Sequence, residues 1–597
     1  MDQLALLAVQ NPKLVSWLTP IWLIGVGIIL GLLLLVLIWA VALALSRIRF
    51  VGTLADDPWR LLSWSSILTL LVGGVGILLV AIFYWSDLSG GETGSTMASL
   101  GRLASLSIPT LTFLWLGIAG GLILVSRRTL QEMPWTLGEG VLFPVLAAAL
   151  FLTGFGFMGF FVAENPLDMI KALGRWNAVG TEVVEFTLKG DGAQSSAEGV
   201  EKAVVLQERP VTFRVNEIRS LLIRTDQRIS VTRDADSWEA FGQTVEVLPN
   251  AAKTDQLFVV PLMTLLASSR SGETVETLQF GNLTESPAKV AVTVNTSLVY
   301  PQVWVIPWTA GCLVLLFLAY VLQRMAFPRI SAVALSTYKS EVAQPFFIIA
   351  LLVGALSLII FIWIPYNTFG EDIKMLKDTG LTLIMVLSIL VALWAASTSV
   401  SEEIDGRTAL TVLSKPLTRR SFVLGKFLGI TWTVALMFIL LGVVFLLVVA
   451  YKPIFDAKES ARMIPPWQVC FQEMMHVVPG LVLAFMETLV LAALSVAIST
   501  RLPLLANFTI CFSIYALGHL TPMIVQSSMG SFPIVRFFGQ LIATIFPNLD
   551  HFNIQAAVAA GVAVPSEYLG WTFVYCLIYT VIALLLALVM FEDRDLA

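Results

Sequence analysis

The sequence predicts a polytopic α-helical membrane protein of about eleven transmembrane helices carrying an inserted extracytoplasmic β-sandwich domain. Three observations predict it. Of 597 residues, 57% are hydrophobic and 13% charged, far from the balance of a soluble domain, which could not hide that much apolar surface. Apolar runs near the ~20 residues needed to cross a bilayer recur along the chain. Between Glu164 and Tyr300 the pattern switches to short alternating stretches separated by turn residues.

The predicted spans fall at about Pro20–Leu45, Leu62–Trp85, Ala104–Ser126, Val141–Ala163, Pro301–Leu322, Phe346–Tyr366, Gly380–Val400, Leu424–Ala450, Val477–Thr500, Leu504–Val525 and Gly570–Phe591. The first lacks a basic leader and reads as a retained span rather than a cleaved signal. Val477–Thr500 and Leu504–Val525 are separated only by Arg501, Leu502 and Pro503, which predicts a helical hairpin turned by proline. Phe532–Ile545 is apolar but too short to cross, which suggests a re-entrant or interfacial helix pair. Ser331–Val342 reads as an amphipathic helix on the membrane surface.

Arg47, Arg49, Arg60, Arg127, Arg128, Arg324, Arg329 and Arg501 share one side with Arg594 if the N-terminus is outside and the C-terminus cytoplasmic. The positive-inside rule favours that orientation. The opposite loops are expected to hold fewer bases, among them Lys374, Lys377, Lys452 and Lys458.

The β segment shows period-two stretches at Val183–Leu188, Val204–Leu206, Val211–Val215, Leu221–Arg224, Ile229–Thr232, Thr244–Leu248, Leu257–Pro261, Val275–Phe280 and Lys289–Thr296. Alternation with regular turn signals argues a sandwich, and Leu278–Thr296 resembles two strands of an immunoglobulin-like fold. The segment has neither histidine nor cysteine, and its expected role is contact with an extracytoplasmic protein partner. The expected organisation is a four-helix membrane unit over 1–163, the Ig-like domain over 164–300, a return helix and linker over 301–330, and a six-helix unit over 331–597.

No catalytic set emerges. Gly425-Lys426 lacks the upstream glycine of a phosphate-binding loop, so ATP is not bound by that route. No hydrolase or metalloprotease motif appears, and the histidines are His476, His519 and His551 alone. The four cysteines form neither a disulfide framework nor a zinc spacing. Cys470, Met474, Met475 and His476 are soft ligands at near-helical spacing, but interfacial packing explains them as well, and no metal site or cofactor is assigned. No nucleic-acid partner is expected. Glu487 lies mid-span, where a carboxylate is expensive. It reads either as part of a translocation path or as a structural hydrogen-bonding group.

The most distinctive stretch is Ser401–Gly429. It places Glu402, Glu403 and Asp405 before Arg407, Lys415, Arg419, Arg420 and Lys426, between two apolar runs. An ordinary basic loop explains the bases but not the preceding acids. The stretch resembles the hallmark cytoplasmic loop of the permeases of type 2 ABC exporters, the ABC-2 family. The resemblance rests on Glu403-Ile404-Asp405-Gly406-Arg407-Thr408, Ser414-Lys415-Pro416, Thr418-Arg419 and Gly425-Lys426. Asp405 and Thr418 replace the family's usual Glu and Ser with the same chemistry. Pro547–Asn553 and Phe591–Leu596 are also similar, although Glu592 and Asp593 stand where bases are more usual. The resemblance covers about Ser331–Ala597 and leaves the N-terminal half unmatched.

The resemblance implies a permease subunit, not an enzyme, in a bacterial inner (plasma) membrane. It implies two copies of an ABC ATPase subunit beneath, and a second permease copy or a related permease beside it. Glu402, Glu403, Asp405, Arg407 and Thr408 would face the ATPase on a coupling helix, with the acids favoured at its N-terminal end and Pro416 ending it. Arg419, Arg420 and Lys426 would meet the headgroups of membrane lipids. The substrate is not legible. The alternative is an ABC-like scaffold or assembly component that uses the β domain to bind a partner.

Overall fold

The computed structural model describes residues 15–48, 58–83, 111–112, 114–163, 166–189, 206–232, 245–247, 258–259, 273–284, 286–364, 371–403, 417–526 and 546–592, with 534, 537 and 541 singly. The expected re-entrant pair at Phe532–Ile545 therefore lies almost wholly outside the described residues, as do the central loop from 404 to 416 and the end of the chain after Glu592. The protein divides into two compact units, one of residues 1–163 with 305–597 and the other of residues 164–304.

The first unit is helical. Its elements are α1 (Leu18–Ser46), α2 (Pro58–Phe83), α3 (Arg127–Glu139) and α4 (Leu142–Phe160). After the second unit come α6 (Val305–Ala326), α7 (Pro328–Val342), α8 (Pro345–Ile360), α9 (Asp372–Ala396) and α10 (Arg419–Glu459). The series closes with α11 (Trp467–Ser499), α12 (Leu504–Gln526), α13 (Gln555–Ala559) and α14 (Ser566–Glu592). Label α5 is kept for Pro166–Leu173 in the second unit.

Among the described residues, seven helices are long and apolar enough to cross a membrane, or eight if α7 and α8, bent by 63° at their junction, make one broken span. A helix satisfies its own backbone, which is why such runs cross lipid as helices. Burial separates centre from periphery. In the most apolar window of α11, 67% of residues are buried, against 17% in α14, whose Leu585 and Val589 point outward. The shared core is built by α9, α10 and α11, with Ile384, Val391, Val434, Leu441, Phe445 and Val477 all buried. The α11–α12 break at residues 500–503 forms the predicted hairpin turn.

Two bases that the sequence places in loops lie inside helices instead. Lys377 belongs to α9 and Lys452 to α10, and both are buried. Lys377 pairs with Glu473, while Lys452 Nζ donates to the Ile362 carbonyl at 3.0 Å and pairs with Asp456 Oδ1 at 3.0 Å. The helices outrun their apolar segments, since α10 continues to Glu459 with Pro453 inside it. Buried charge is tolerated there because each ammonium has a carboxylate partner.

The second unit holds α5 and two antiparallel four-stranded sheets. One has the order β1 (Thr181–Leu188), β8 (Ala288–Thr296), β3 (Ile218–Thr225), β6 (Phe258–Val259). The other runs β2 (Leu206–Arg214), β7 (Thr274–Asn282), β4 (Ile229–Thr232), β5 (Val245–Val247). Period-two alternation sends Ala288, Val290, Val292 and Val294 of β8 inward. They share one core with Val211, Phe213, Leu278 and Phe280 of the other sheet. Val204–Leu206 and Val211–Val215, separate in the sequence reading, contribute to the single strand β2. Pro210 cannot donate to the ladder, and the register shifts between Pro210 and Phe213. Where the chain enters and leaves, Trp176 and Trp304 stack at 3.9 Å, and Arg175 grips Glu217 through two 2.7 Å hydrogen bonds.

Candidate functional site

The charged stretch begins where α9 ends, and the sequence there is rich in small hydroxyls: Ser397, Thr398, Ser399 and Ser401. The helix widens into a π-helical turn over Ser397–Glu402, a geometry that frees backbone groups and recurs at functional sites. Side chains of the hairpin hold it. Asn507 Nδ2 donates to Ser397 Oγ at 2.8 Å and to Ser495 Oγ at 2.7 Å. Ser401 Oγ donates to the Leu502 carbonyl at 3.1 Å. Thr398 Oγ1 donates to the buried Glu341 carboxylate of α7 at 3.2 Å. The stem of the loop is thus tied to α7, to α12 and to the turn before α12.

The other stem is the start of α10. Thr418 caps it, its Oγ1 accepting from the Ser421 amide at 3.2 Å. Gly425 and Gly429 then let α7 approach closely. A Cβ on Gly425 would lie 2.6 Å from Val333 Cβ, and one on Gly429 would lie 2.7 Å from the Ala334 carbonyl oxygen. These two glycines form a small-xxx-small contact of the kind that packs membrane helices. The Gly-Lys of the motif serves helix packing, in keeping with the lack of a phosphate-binding loop.

Between the two stems, Lys426 Nζ lies 2.5 Å from Glu403 Oε1 and 5.4 Å from the Phe422 ring centroid. Lys426 is only 5% exposed. It is therefore not a surface base, and the sequence-based grouping of Lys426 with Arg419 and Arg420 needs correction. About two helical turns inside α10, it points toward Glu403 and the Phe422 ring, while Arg420 is exposed. Arg419 faces the end of α14, donating to the carbonyls of Phe591 at 3.2 Å and Glu592 at 2.8 Å. A guanidinium suits a helix C-terminus, where carbonyls lack partners. Glu402 closes the π-helical turn. Asp405, Arg407 and Thr408 lie outside the described residues.

Glu487 is buried in α11, 1% exposed, with Oε1 2.8 Å from His519 Nε2 on α12. Tyr515 meets the His519 ring edge-on, centroids 4.8 Å apart. His519 has no assigned role in the sequence reading. The signal that could have found it is the hairpin turn, because both residues lie about four helical turns from it and so share one level. The pair can share and move a proton within the bundle. Cys470 and Met474 are buried in α11, and among the described residues no group of three or more His, Cys, Asp or Glu is placed to hold a metal.

Together, the apolar helices and the helix-anchored charged loop define a multi-pass helical membrane protein. Residues 128–596 match the family described as ABC-2 family transporter protein, and the chain belongs to that family. The match takes in the loop, the helices on both sides of it and the β unit, and leaves residues 1–127 outside. Members are transport membrane components that are not themselves catalytic and normally work with an ATPase subunit. No curated protein matches the chain.

Proposed function

We propose that the chain is the permease subunit of an ATP-binding cassette exporter, with ATP hydrolysed on a separate ATPase subunit present in two copies. A second permease copy, or a related permease, completes the path. About eleven spans cross a bacterial inner membrane with the N-terminus outside and the C-terminus in the cytoplasm. The two sheets form an extracytoplasmic Ig-like sandwich that meets an outer partner. Glu402, Asp405, Arg407 and Thr408 carry the ATPase contact, and Glu403 does so from its ion pair. Arg419 and Arg420 lie at the lipid surface, and Glu487 lines the path.

One observation carries this reading. The loop springs from α9 and α10, two of the three helices that build the shared core, and its stems are cross-tied by Glu403 and Lys426. A push delivered at these stems reaches the core helices directly.

The test leaves that ion pair intact. Asp405→Arg with Arg407→Glu, in the full chain co-expressed with its ATPase, should preserve membrane insertion and the thermal midpoint while the ATPase subunit is lost on co-purification. Full coupled ATPase activity in the double variant would overturn the docking assignment. The separate compactness of residues 164–304 favours a second reading, a scaffold that performs assembly work through that unit. ATP-stimulated transport in sealed vesicles separates the two.

A further inference from the structure

The short helix α13 is docked on α9 and α11, on the half of α9 away from the charged loop. Gln555 Oε1 accepts from Thr382 Oγ1 of α9 at 3.3 Å. Val558 is buried and meets Gly480 of α11, where an added Cβ would lie 3.3 Å from its Cγ2. Beyond the helix the chain turns at Gly561, whose φ of 73° suits glycine. That turn seats the glycine on the ring of His476 in α11. A Cβ on Gly561 would lie 3.2 Å from His476 Nδ1 and 3.3 Å from Cε1. His476 stands just before the apolar stretch Val477–Thr500.

His476 Nδ1 is buried and has no hydrogen-bond partner among the described residues. The carbonyls at the end of α13 are already engaged. Ala556 accepts from the Ala560 amide at 3.0 Å, Ala557 from the Val562 amide at 3.0 Å and Val558 from the Gly561 amide at 3.1 Å. A proton on Nδ1 would point at Gly561 and find no acceptor there, and an unsatisfied buried donor is costly. The docked ring is thus neutral, with its proton on Nε2. Charge works in the same direction. Lys377 of α9 and Glu473, three residues earlier on the same face of α11, are the charged groups that act on the ring. Glu473 already pairs with Lys377, which is buried. The α13 segment, Gln-Ala-Ala-Val-Ala, adds no titratable side chain. An imidazolium would be a second cation sharing one carboxylate.

We propose that His476 is a pH-sensitive clasp: the neutral ring lets α13 dock on α9 and α11, and protonation of the ring releases it. An imidazole freed from the clasp titrates near about pH 6.5. Only the undocked ring takes the proton, so docking is complete above that pH and is lost progressively below it. One core helix, α9, then carries a proton-sensitive contact on one half and the charged loop at the end of the other. The clasp stands on the packing of α13 and not on ATPase docking, so its failure leaves the exporter reading untouched.

The experiment is amide hydrogen exchange, read by mass spectrometry on the purified full chain in detergent micelles. Rates are compared about one pH unit above and about one below the titration of the free ring, each corrected for the intrinsic pH dependence of exchange. Protection of the Val558, Ala560, Gly561 and Val562 amides should fall about tenfold at the lower pH, while the amides of α10 keep theirs. His476→Gln, which has no ring to protonate, should remove that fall, and His551→Gln should preserve it. Unchanged protection of α13 in the native chain, or an equal fall in His476→Gln, would overturn the proposal. So would a fall shared by α10, which would mean general acid unfolding.

Discussion

Lys426 Nζ and Glu403 Oε1 stand 2.5 Å apart, joining the last described turn before the charged loop to the second turn after it. The lysine is buried and the carboxylate partly exposed. Removing either partner strands a charge in a poorly solvated place. Lys426→Met should cost about 2 kcal/mol, below the value for a fully buried pair because water reaches Glu403. Adding Glu403→Gln should recover part of that loss. A double-mutant cycle on thermal or denaturant midpoints measures the coupling, and additive effects would show that the pair contributes nothing.

The close approach of α7 to α10 gives a steric prediction. Gly429→Val forces a side chain into the Ala334 carbonyl and Thr337 and should destabilise by about 1–3 kcal/mol or more. Gly442→Ala in the same helix is the control, because its Cβ would meet Leu481 only at an ordinary 3.6 Å. Comparable melting of both variants would refute close packing at Gly429.

Glu487 and His519 separate a structural role from a transport role. Glu487→Gln retains a hydrogen-bonding group for His519 and should change stability by under about 1 kcal/mol. Glu487→Leu leaves the imidazole without its partner and should cost about 1–3 kcal/mol. If the proton on the pair matters for movement through the bundle, Glu487→Gln abolishes coupled transport at native stability. Wild-type transport rates in Glu487→Gln would confine the pair to a structural role.

The placement of the β unit is tested by chemistry from one side of the membrane. Val183 is exposed on β1, so Val183→Cys, in a chain with Cys312→Ser, should react with an impermeant thiol reagent in intact cells. Cys470, Cys511 and Cys576 are buried and give little background. Labelling only after lysis would reverse the proposed orientation.

Apolar length is a one-dimensional property, so helices such as α1, α10 and α11 were readable directly from the sequence. The strands of the β unit were readable too, because period two is local. Direction in space was not. Lys426 reads as one of several bases, and only the packing of α10 on α7 shows that it points inward. Lys377 and Lys452 look like loop residues because their carboxylate partners, Glu473 and Asp456, convert charge into something a helix end can bury. The π-helical turn at Ser397–Glu402 has no simple sequence period, and its run of hydroxyls is the only trace. The Glu487–His519 pair required combining the hairpin turn with helical rise across a gap of 32 positions.

The stacked rings of Trp176 and Trp304 carry an evolutionary consequence. A segment bounded by two side chains that stack on each other, with ring centroids 3.9 Å apart, can be acquired, lost or exchanged in one splice without stretching the chain on either side. The membrane-embedded helices and the β unit can then diversify at separate rates, one constrained by its packing and the other by whatever it touches.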